Sequence, residues 1–237
     1  MNHQCWGVIP ARGGSKGIPR KNLREVNGIP LIAYTIKAAL ASHCLAGVVV
    51  STDDEEIAQV ALEHGAQVPF MRPVELATDS ATDLQVITHF SQWLAEQAIP
   101  VQSIAYLRPT TPLKTAQLID EGILKLTQNP QFSGVRSVTK TEGVFHPYWM
   151  FAEDEQHRLA PFVEGITLEK YYQRQLLPSC FRLNGVCDLL RIDNLSSGDI
   201  YGPNVGFIEI PENQSIDIDT ELDLKWLEFL LHQQELK

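Results

Sequence analysis

Short apolar runs alternate with segments of helical periodicity along most of this 237-residue chain. The apolar runs cover residues 5–10, 47–51, 66–70, 103–107, 134–138 and 205–210. The helical segments cover residues 30–42, 53–64, 83–96, 115–126 and 220–233. Successive parallel strands need a crossover connection, usually a helix, so this alternation predicts an α/β fold with a mostly parallel sheet. Helices should then cover both faces of that sheet.

Residues 141–182 interrupt the alternation. Aromatic side chains crowd into two short stretches here, residues 144–151 and the pair Tyr171 and Tyr172. Exposed aromatic surface often marks a contact, so we interpret this segment as an insertion that covers the site, forms an interface, or does both. No repeat and no low-complexity linker is visible in the sequence. We therefore predict one domain over residues 1–237, with 141–182 as an inserted dimerisation or lid segment.

The acidic composition narrows the partners that we expect. The chain has a net charge of −10 and a sequence pI of about 5.1, which argues against broad nucleic-acid or membrane binding. No window approaches about 18 uninterrupted apolar residues, and the chain starts without the cationic stretch of a signal peptide. The four cysteines form no CxxC pair, which favours reduced, buried thiols over zinc or disulfide frameworks. The cytoplasm is the expected location.

A basic, glycine-rich loop follows the first apolar run directly. The first 24 residues contain no acidic side chain but five cations: Arg12, Lys16, Arg20, Lys21 and Arg24. Ligands bind beyond the carboxyl ends of strands in such sheets, and glycine-rich turns let backbone amides approach phosphate oxygens. The order Ser-Lys-Gly is not a Walker A loop, and the dinucleotide pattern Gly-x-Gly-x-x-Gly is also missing. The loop predicts a polyphosphate site, the alternative being a solvated turn with exposed lysines.

Two aspartates, Asp217 and Asp219, stand two residues apart near the end of the chain. On an extended segment both carboxylates face one side, while Ile216 and Ile218 face the core. Mg²⁺ is usually bound by one or two carboxylates together with substrate phosphates, so the pair is a candidate magnesium site. The alternative is helix capping, since the Thr-x-x-Asp that follows resembles a capping box. The two roles are compatible.

Other polar residues follow apolar runs or flank the insertion. Arg72 and Arg108 each come after an apolar run and precede a proline that stiffens the loop. Arg174, Arg182 and Asn184 lie at the end of the insertion, where arginines are suited to bidentate binding of a substrate carboxylate. A plain turn or a solvated surface side chain is the alternative for each group. The seven histidines are scattered without HxxxH spacing, so we expect no zinc site.

Several segments together resemble the acylneuraminate cytidylyltransferase family. They appear in family order and span nearly the whole chain. The segments are residues 8–23 (VIPARGGSKGIPRKNL), 50–53 (VSTD), 71–77 (MRPVELA), 108–112 (RPTTP), 173–185 (QRQLLPSCFRLNG) and 215–223 (SIDIDTELD). The first and the last of these are the most specific to the family.

The resemblance implies a Rossmann-like nucleotidyltransferase fold and a homodimer whose inserted arm reaches the partner's site. It also implies transfer of CMP from CTP to the anomeric hydroxyl of a nine-carbon acidic sugar, with release of pyrophosphate. By motif, the expected contacts are Arg12, Lys16, Lys21 and Asn22 to CTP, Arg72 and Arg108 to nucleotide or phosphate, Arg174 to the sugar, and Asp217 and Asp219 to Mg²⁺. Arg12, Lys16 and the two aspartates would be the catalytic residues.

Three positions depart from the family pattern, and all bear on the sugar pocket or the nucleotide edge. Arg108 stands where glutamine is frequent, Trp149 stands near a frequent sugar-contacting lysine, and Cys187-Asp188 replaces Ile-Tyr. Sialic, legionaminic and pseudaminic acid therefore stay open as substrates. The alternatives are an octulosonic-acid (KDO) enzyme, an NDP-hexose pyrophosphorylase, and a nucleotide-binding module without catalysis.

Overall fold

The structure, a computed structural model, describes residues 4–235, in which five α-helices and ten strands form. The strands are β1 (Cys5–Pro10), β2 (Glu25–Val26), β3 (Ile29–Pro30), β4 (Leu45–Ser51), β5 (Ser103–Tyr106), β6 (Gly134–Lys140), β7 (Phe151–Glu153), β8 (Leu159–Pro161), β9 (Phe181–Arg191) and β10 (Val205–Glu209). The helices are α1 (Leu31–Leu40), α2 (Glu55–Glu63), α3 (Asp83–Glu96), α4 (Ala116–Gln128) and α5 (Glu221–Glu235). The expectation that no signal peptide is present falls on the start of the chain, and residues 1–3 lie outside the described residues.

Six strands form the central sheet, in the order β10-β6-β9-β5-β1-β4. Three neighbouring pairs are parallel, namely β10 with β6, β5 with β1, and β1 with β4, while β9 runs antiparallel to both of its neighbours. The predicted α/β fold with a mostly parallel sheet is confirmed. Because β1, β4 and β5 run in the same direction, the loops that follow them meet at one edge of the sheet.

Local capping signals explain why the helices lie close to their predicted positions. α2 begins after Asp54, whose carboxylate accepts hydrogen bonds from two backbone amides of the first turn. It ends before Gly65, whose φ of 88° is a conformation that favours glycine. α3 begins with a reciprocal capping box formed by Thr82 and Gln85. These ends are set by neighbouring residues, so the sequence alone is enough to locate them.

Residues 66–70 do not form a strand, so that prediction is wrong. Only Gln67 pairs with β4: its amide donates to the Val48 carbonyl (2.9 Å) and its carbonyl accepts from the Val50 amide (2.8 Å). Pro69 lacks the amide hydrogen that the ladder would need next. The segment therefore touches the edge of the sheet at a single residue and then leaves it.

β9 is an element that the alternation does not predict. It begins at residue 181, inside the segment assigned to the insertion, and its buried stretch 186–190 contains the charged residue Asp188. It occupies the place between β5 and β6. The last part of the predicted insertion therefore belongs to the central sheet.

The rest of the insertion, residues 141–180, contains 3-10 turns and the hairpin β7–β8. Trp149 Nε1 donates to the Tyr171 carbonyl (2.6 Å), and the rings of Tyr148 and Tyr171 pack edge to face with centroids 4.7 Å apart. Several large apolar side chains are exposed on its surface: Val144, Phe145, Leu159, Phe162, Leu168 and Tyr172. A single copy of the chain thus presents an apolar surface here.

Apolar clusters cover both faces of the central sheet. Successive residues of β1 point to opposite faces, so Ile9 packs with the cluster that includes α1, α2 and α4, whereas Val8 packs with the cluster that includes α3. The predicted covering of both faces by helices is therefore confirmed. No helix within residues 4–235 is long and apolar enough to span a bilayer.

Candidate functional site

A cleft of about 410 Å³ opens beyond the carboxyl ends of β1 and β5. Pro10 and Tyr106, the last residues of these strands, both line it. The predicted site residues that line the cleft are Arg12, Lys16, Lys21, Asn22, Arg72, Arg108 and Asp219. They come from separate parts of the sequence, and the strand order brings them to the edge at which α/β sheets bind ligands.

Hydrogen bonds from two neighbouring segments hold the glycine-rich loop in place. The Gly13 amide donates to Asp53 Oδ1 (3.0 Å), just before α2. The Asn22 side chain, which is buried, donates to the Arg12 carbonyl (3.1 Å). Asn22, predicted as a CTP contact, therefore also fixes the backbone from which the Arg12 side chain extends.

Lys21 joins this loop to the acidic segment near the end of the chain. Its Nζ donates to the Ile218 carbonyl (2.7 Å) and to Asp219 Oδ1 (2.8 Å). Gly17 approaches the same segment so closely that an added Cβ would lie 2.4 Å from the Asp219 carbonyl oxygen. The fit between the two segments therefore requires glycine at position 17.

We expect Gly17→Ala to lower the free energy of unfolding by about 1–3 kcal/mol, because the added methyl group forces the two backbones apart. Gly14→Ala is the matched control, since a Cβ there meets nothing within 4 Å. Both variants remove one glycine from the same loop, so their effects on the unfolded chain are alike. Urea unfolding measures the difference, and equal midpoints for the two variants would contradict the predicted close contact.

The acidic segment has the alternation that the sequence predicts. Asp217 and Asp219 are exposed, whereas Ile218 is buried and Ile216 packs partly against the same apolar cluster. Asp219 lines the cleft, and Asp217 is not among the lining residues.

The predicted helix cap is present beside this pair. Asp223 Oδ2 accepts hydrogen bonds from the backbone amides of Asp219 (3.0 Å) and Thr220 (2.7 Å). The carboxylate that caps α5 is thus that of Asp223. Capping leaves the side chains of Asp217 and Asp219 available for another role.

The acidic pair fits a magnesium ion that also binds substrate phosphates. The Asp217 carboxylate and Asp219 Oδ2 accept no hydrogen bond from residues 4–233. Over the same residues, no cluster of three or more His, Cys, Asp or Glu side chains is arranged to hold a metal. Mg²⁺ needs no such cluster, because phosphates and waters usually complete its coordination. The magnesium assignment stays a prediction.

Arg72 is buried in the wall of the cleft. Its Nε donates to Ser51 Oγ (3.0 Å), its Nη2 donates to the Ser51 carbonyl, and its backbone amide donates to the Thr52 carbonyl (2.7 Å). Burial lowers the pKa of the guanidinium from its ordinary value. These contacts hold a positive charge in a fixed orientation at the cleft.

Arg108 is held between two carboxylates. Its Nη1 lies 2.7 Å from Asp188 Oδ2 and its Nη2 lies 2.6 Å from Asp83 Oδ2. The fully buried Asp188 also contacts Arg136 Nη2 (3.3 Å) and accepts from the Tyr201 hydroxyl (3.1 Å). Burial disfavours the charged guanidinium, but the two carboxylates outweigh it and raise the pKa of Arg108. Two of the positions that depart from the family pattern, 108 and 188, are thus in direct contact.

Lys114 is a residue of this region that sequence analysis missed. Its buried Nζ donates to the Arg108 carbonyl (2.7 Å), to Thr35 Oγ1 (3.0 Å), and to the carbonyl of Thr111. Burial lowers its pKa to about 7. Lys114 therefore ties α1 to the loop that carries Arg108. In the sequence, Lys114 is only a lysine between an apolar residue and a helix cap. Lysines in such positions are also common on protein surfaces, so the pattern does not distinguish a buried lysine.

Asp79 is a second missed residue. It lies two positions beyond the 71–77 segment, lines the cleft, and forms ion pairs with Arg12 and Lys16. An acidic residue in a polar connection gives no sequence signal of its own, since such residues are usually solvated.

Besides Asp217, three predicted residues are not among those that line the cleft. Arg174 lines a separate cavity of about 260 Å³ between the end of β6 and residues 174–179. Arg182 pairs with Glu212 (2.9 Å), and the buried Asn184 side chain donates to Thr139 Oγ1 (2.9 Å). In the single chain, Arg182 and Asn184 therefore support the structure around β9.

A glycine-rich loop after the first strand of such a sheet is typical of α/β proteins that bind nucleotides or other phosphate ligands. The family model described as cytidylyltransferase matches residues 6–197, and the chain belongs to that family. The predicted membership is thus confirmed.

Named relatives extend over almost the entire chain. The CMP-N,N'-diacetyllegionaminic acid synthase of Campylobacter jejuni is 31% identical over 243 residues, which cover 97% of this chain and 95% of the relative. The pseudaminic acid cytidylyltransferase of the same species is 33% identical over 233 residues, covering 97% and 96%. A solved structure of CMP:2-keto-3-deoxy-manno-octonic acid synthetase complexed with CTP has a TM-score of 0.71 at 17% identity, covering 98% of this chain and 99% of that one. This last likeness shows the shared fold.

Proposed function

We propose that this protein transfers CMP from CTP to the anomeric hydroxyl of a nine-carbon acidic sugar and releases pyrophosphate. The observation that carries the proposal is the gathering of Arg12, Lys16, Arg72 and Arg108 around one cleft in a chain of net charge −10. A local basic site of this kind is what a triphosphate and an acidic sugar require. The two Campylobacter relatives support the sugar class, because their names specify legionaminic and pseudaminic acid.

The proposed reaction is an in-line attack of the anomeric hydroxyl on the α-phosphorus of CTP, with pyrophosphate as the leaving group. Such chemistry depends mainly on positioning and on stabilisation of charge. The amides of the glycine-rich loop and the side chains of Arg12 and Lys16 bind the phosphates and stabilise charge on the departing pyrophosphate. Lys21 holds the loop against the acidic segment. Mg²⁺ held by Asp217 and Asp219 would neutralise phosphate charge and lower the pKa of the attacking hydroxyl.

The sugar is proposed to be an N-acylneuraminate or a relative such as legionaminic or pseudaminic acid. Its carboxylate would suit an arginine fork, for which Arg174 and Arg182 are the candidates. The alternative is an enzyme for KDO or for an NDP-hexose. The structural likeness to the octonic acid synthetase does not favour that alternative, because at 17% identity it concerns the fold alone.

A homodimer is part of the proposal, because Arg174 lies outside the cleft of its own chain. Phe145, Leu159 and Phe162 of the insertion each expose more than half of their surface, and an exposed apolar patch often marks a protein–protein interface. The arm of a partner subunit would cover these residues and supply Arg174 to the other cleft. A cytoplasmic location and the lack of nucleic-acid binding stay predictions.

Light scattering should give the mass of two chains for the unaltered protein. Phe162→Asp should shift the protein toward one chain, because it places a charge in the proposed interface. Leu222→Asp is the matched control, since Leu222 is similarly exposed but lies on α5, outside the insertion. A monomeric unaltered protein would contradict the dimer.

Pyrophosphate release tests the proposed reaction. The assay contains CTP, Mg²⁺ and, in turn, N-acetylneuraminic, N,N'-diacetyllegionaminic and pseudaminic acid, with KDO as the competing sugar. ATP, GTP and UTP serve as nucleotide controls. We expect release with CTP and one nonulosonic acid. Release with KDO alone, or no release by folded protein with any pair, would refute the proposal.

A further inference from the structure

Asp79 contacts both cations that the proposed function assigns to the departing pyrophosphate. Its Oδ1 lies 2.8 Å from Arg12 Nη2, and its Oδ2 lies 2.7 Å from Lys16 Nζ. Each carboxylate oxygen therefore pairs with one cation. Two oxygens of a phosphate group could pair with the same two cations in the same way. Neither cation forms another ion pair with the described side chains of residues 4–233. The two cationic side chains of the loop, Arg12 and Lys16, are thus already paired with a carboxylate of the protein itself.

The Asp79 contact lies at the open side of the cleft. The side chain of Asp79 is 52% exposed and that of Lys16 is 76% exposed. Asp79 comes from the connection between Leu76 and the cap of α3, and its neighbours Thr78 and Ala81 also line the cleft. Exposed ion pairs contribute little stability, so this contact can open without loss of buried packing.

Asp79 is a carboxylate at neutral pH. Its hydrogen bond with Lys16, together with the charges of Lys16 and Arg12, lowers the pKa of the carboxyl group below its ordinary value. The negative charge that competes with an incoming phosphate is therefore present under ordinary assay conditions. It also offsets the repulsion between the two cations while no ligand is bound.

We propose that Asp79 occupies the phosphate position of the glycine-rich loop in the nucleotide-free protein and that the triphosphate displaces it. This inference rests on the proposed function, in which Arg12 and Lys16 bind CTP. Displacement breaks both ion pairs, so Asp79 lowers the affinity for any ligand with a triphosphate. It leaves the affinity for an uncharged nucleoside unchanged, because no phosphate then competes for the two cations.

Titration calorimetry of the full chain with CTP, inorganic tripolyphosphate and cytidine tests this role without any sugar or turnover. Asp79→Asn should bind CTP and tripolyphosphate about three- to tenfold more tightly, since two exposed ion pairs no longer oppose binding. Cytidine affinity should not change. The gain should shrink at high ionic strength, where the ion pairs are screened. Asp79→Glu keeps the carboxylate and should bind nearly as the unaltered protein does.

Glu121→Gln is the matched control, because it removes the same charge from the exposed surface of α4, away from the cleft. It should leave all three affinities unchanged. If Asp79→Asn binds CTP and tripolyphosphate no more tightly than the unaltered protein, while that protein still binds both, the displacement is refuted and the proposed function stands. If the unaltered protein binds neither ligand, the proposed function fails and the inference fails with it.

Discussion

Replacing Asp219 by asparagine is expected to lower kcat for pyrophosphate release by roughly 10²–10³-fold. Asparagine keeps the size of the side chain and an oxygen that can accept from Lys21, but it removes the charge that Mg²⁺ binding needs. The Mg²⁺ concentration for half-maximal rate should therefore rise as well. Asp217→Asn should act in the same direction. Steady-state rates across a MgCl₂ titration, at saturating CTP and sugar, measure both effects.

Glu221→Gln is the matched control for this experiment. Glu221 lies two residues further along the chain, outside the cleft lining, and both of its oxygens pair with Arg24, at 2.7 and 3.0 Å. Its loss should change kcat by no more than about twofold, as for an ordinary exposed ion pair. Full turnover by both Asp217→Asn and Asp219→Asn would show that the metal assignment is wrong. Since all three positions are exposed, unfolding midpoints should stay nearly constant.

Replacing Asp188 by alanine is expected to lower the free energy of unfolding by about 3–5 kcal/mol. Asp188 is fully buried and pairs with Arg108 and Arg136. Its removal leaves Arg108 with the more exposed Asp83 as its counter-charge and takes from Arg136 the carboxylate that it contacts. The Tyr201 hydroxyl loses its acceptor at the same time. Urea unfolding of the variant and the unaltered protein measures this loss.

Asp83→Asn is the control, because Asp83 is the other carboxylate on Arg108 but is 42% exposed. Water can replace much of its interaction, so the expected loss is about 1 kcal/mol or less. Adding Arg108→Gln to Asp188→Ala should recover part of the stability, since it removes one of the two positive charges that Asp188 neutralises. Equal losses for the Asp83 and Asp188 variants, or strictly additive losses in the double variant, would contradict the buried network.

Local sequence patterns determined the class of fold and two parts of the site. The spacing of apolar side chains follows the local backbone conformation, so it distinguishes strands from helices in the sequence. The alternation of the two kinds of segment then predicts a mostly parallel sheet. The glycine-rich loop could be placed at the ligand-binding edge because it follows the first strand. The outward direction of Asp217 and Asp219 follows from the isoleucines beside them, since neighbouring side chains of an extended segment point to opposite sides.

Tertiary structure decided which of these groups meet. The contact of Lys21 with Asp219 spans 198 residues, and the contact of Arg108 with Asp188 spans 80. Both depend on strand order, including the position of the antiparallel β9, and no local periodicity encodes that order. Asp79 and Lys114 gave no distinct sequence signal for the same reason. Their partners come from other loops, and whether a charged side chain is solvated or paired depends on what the fold places beside it.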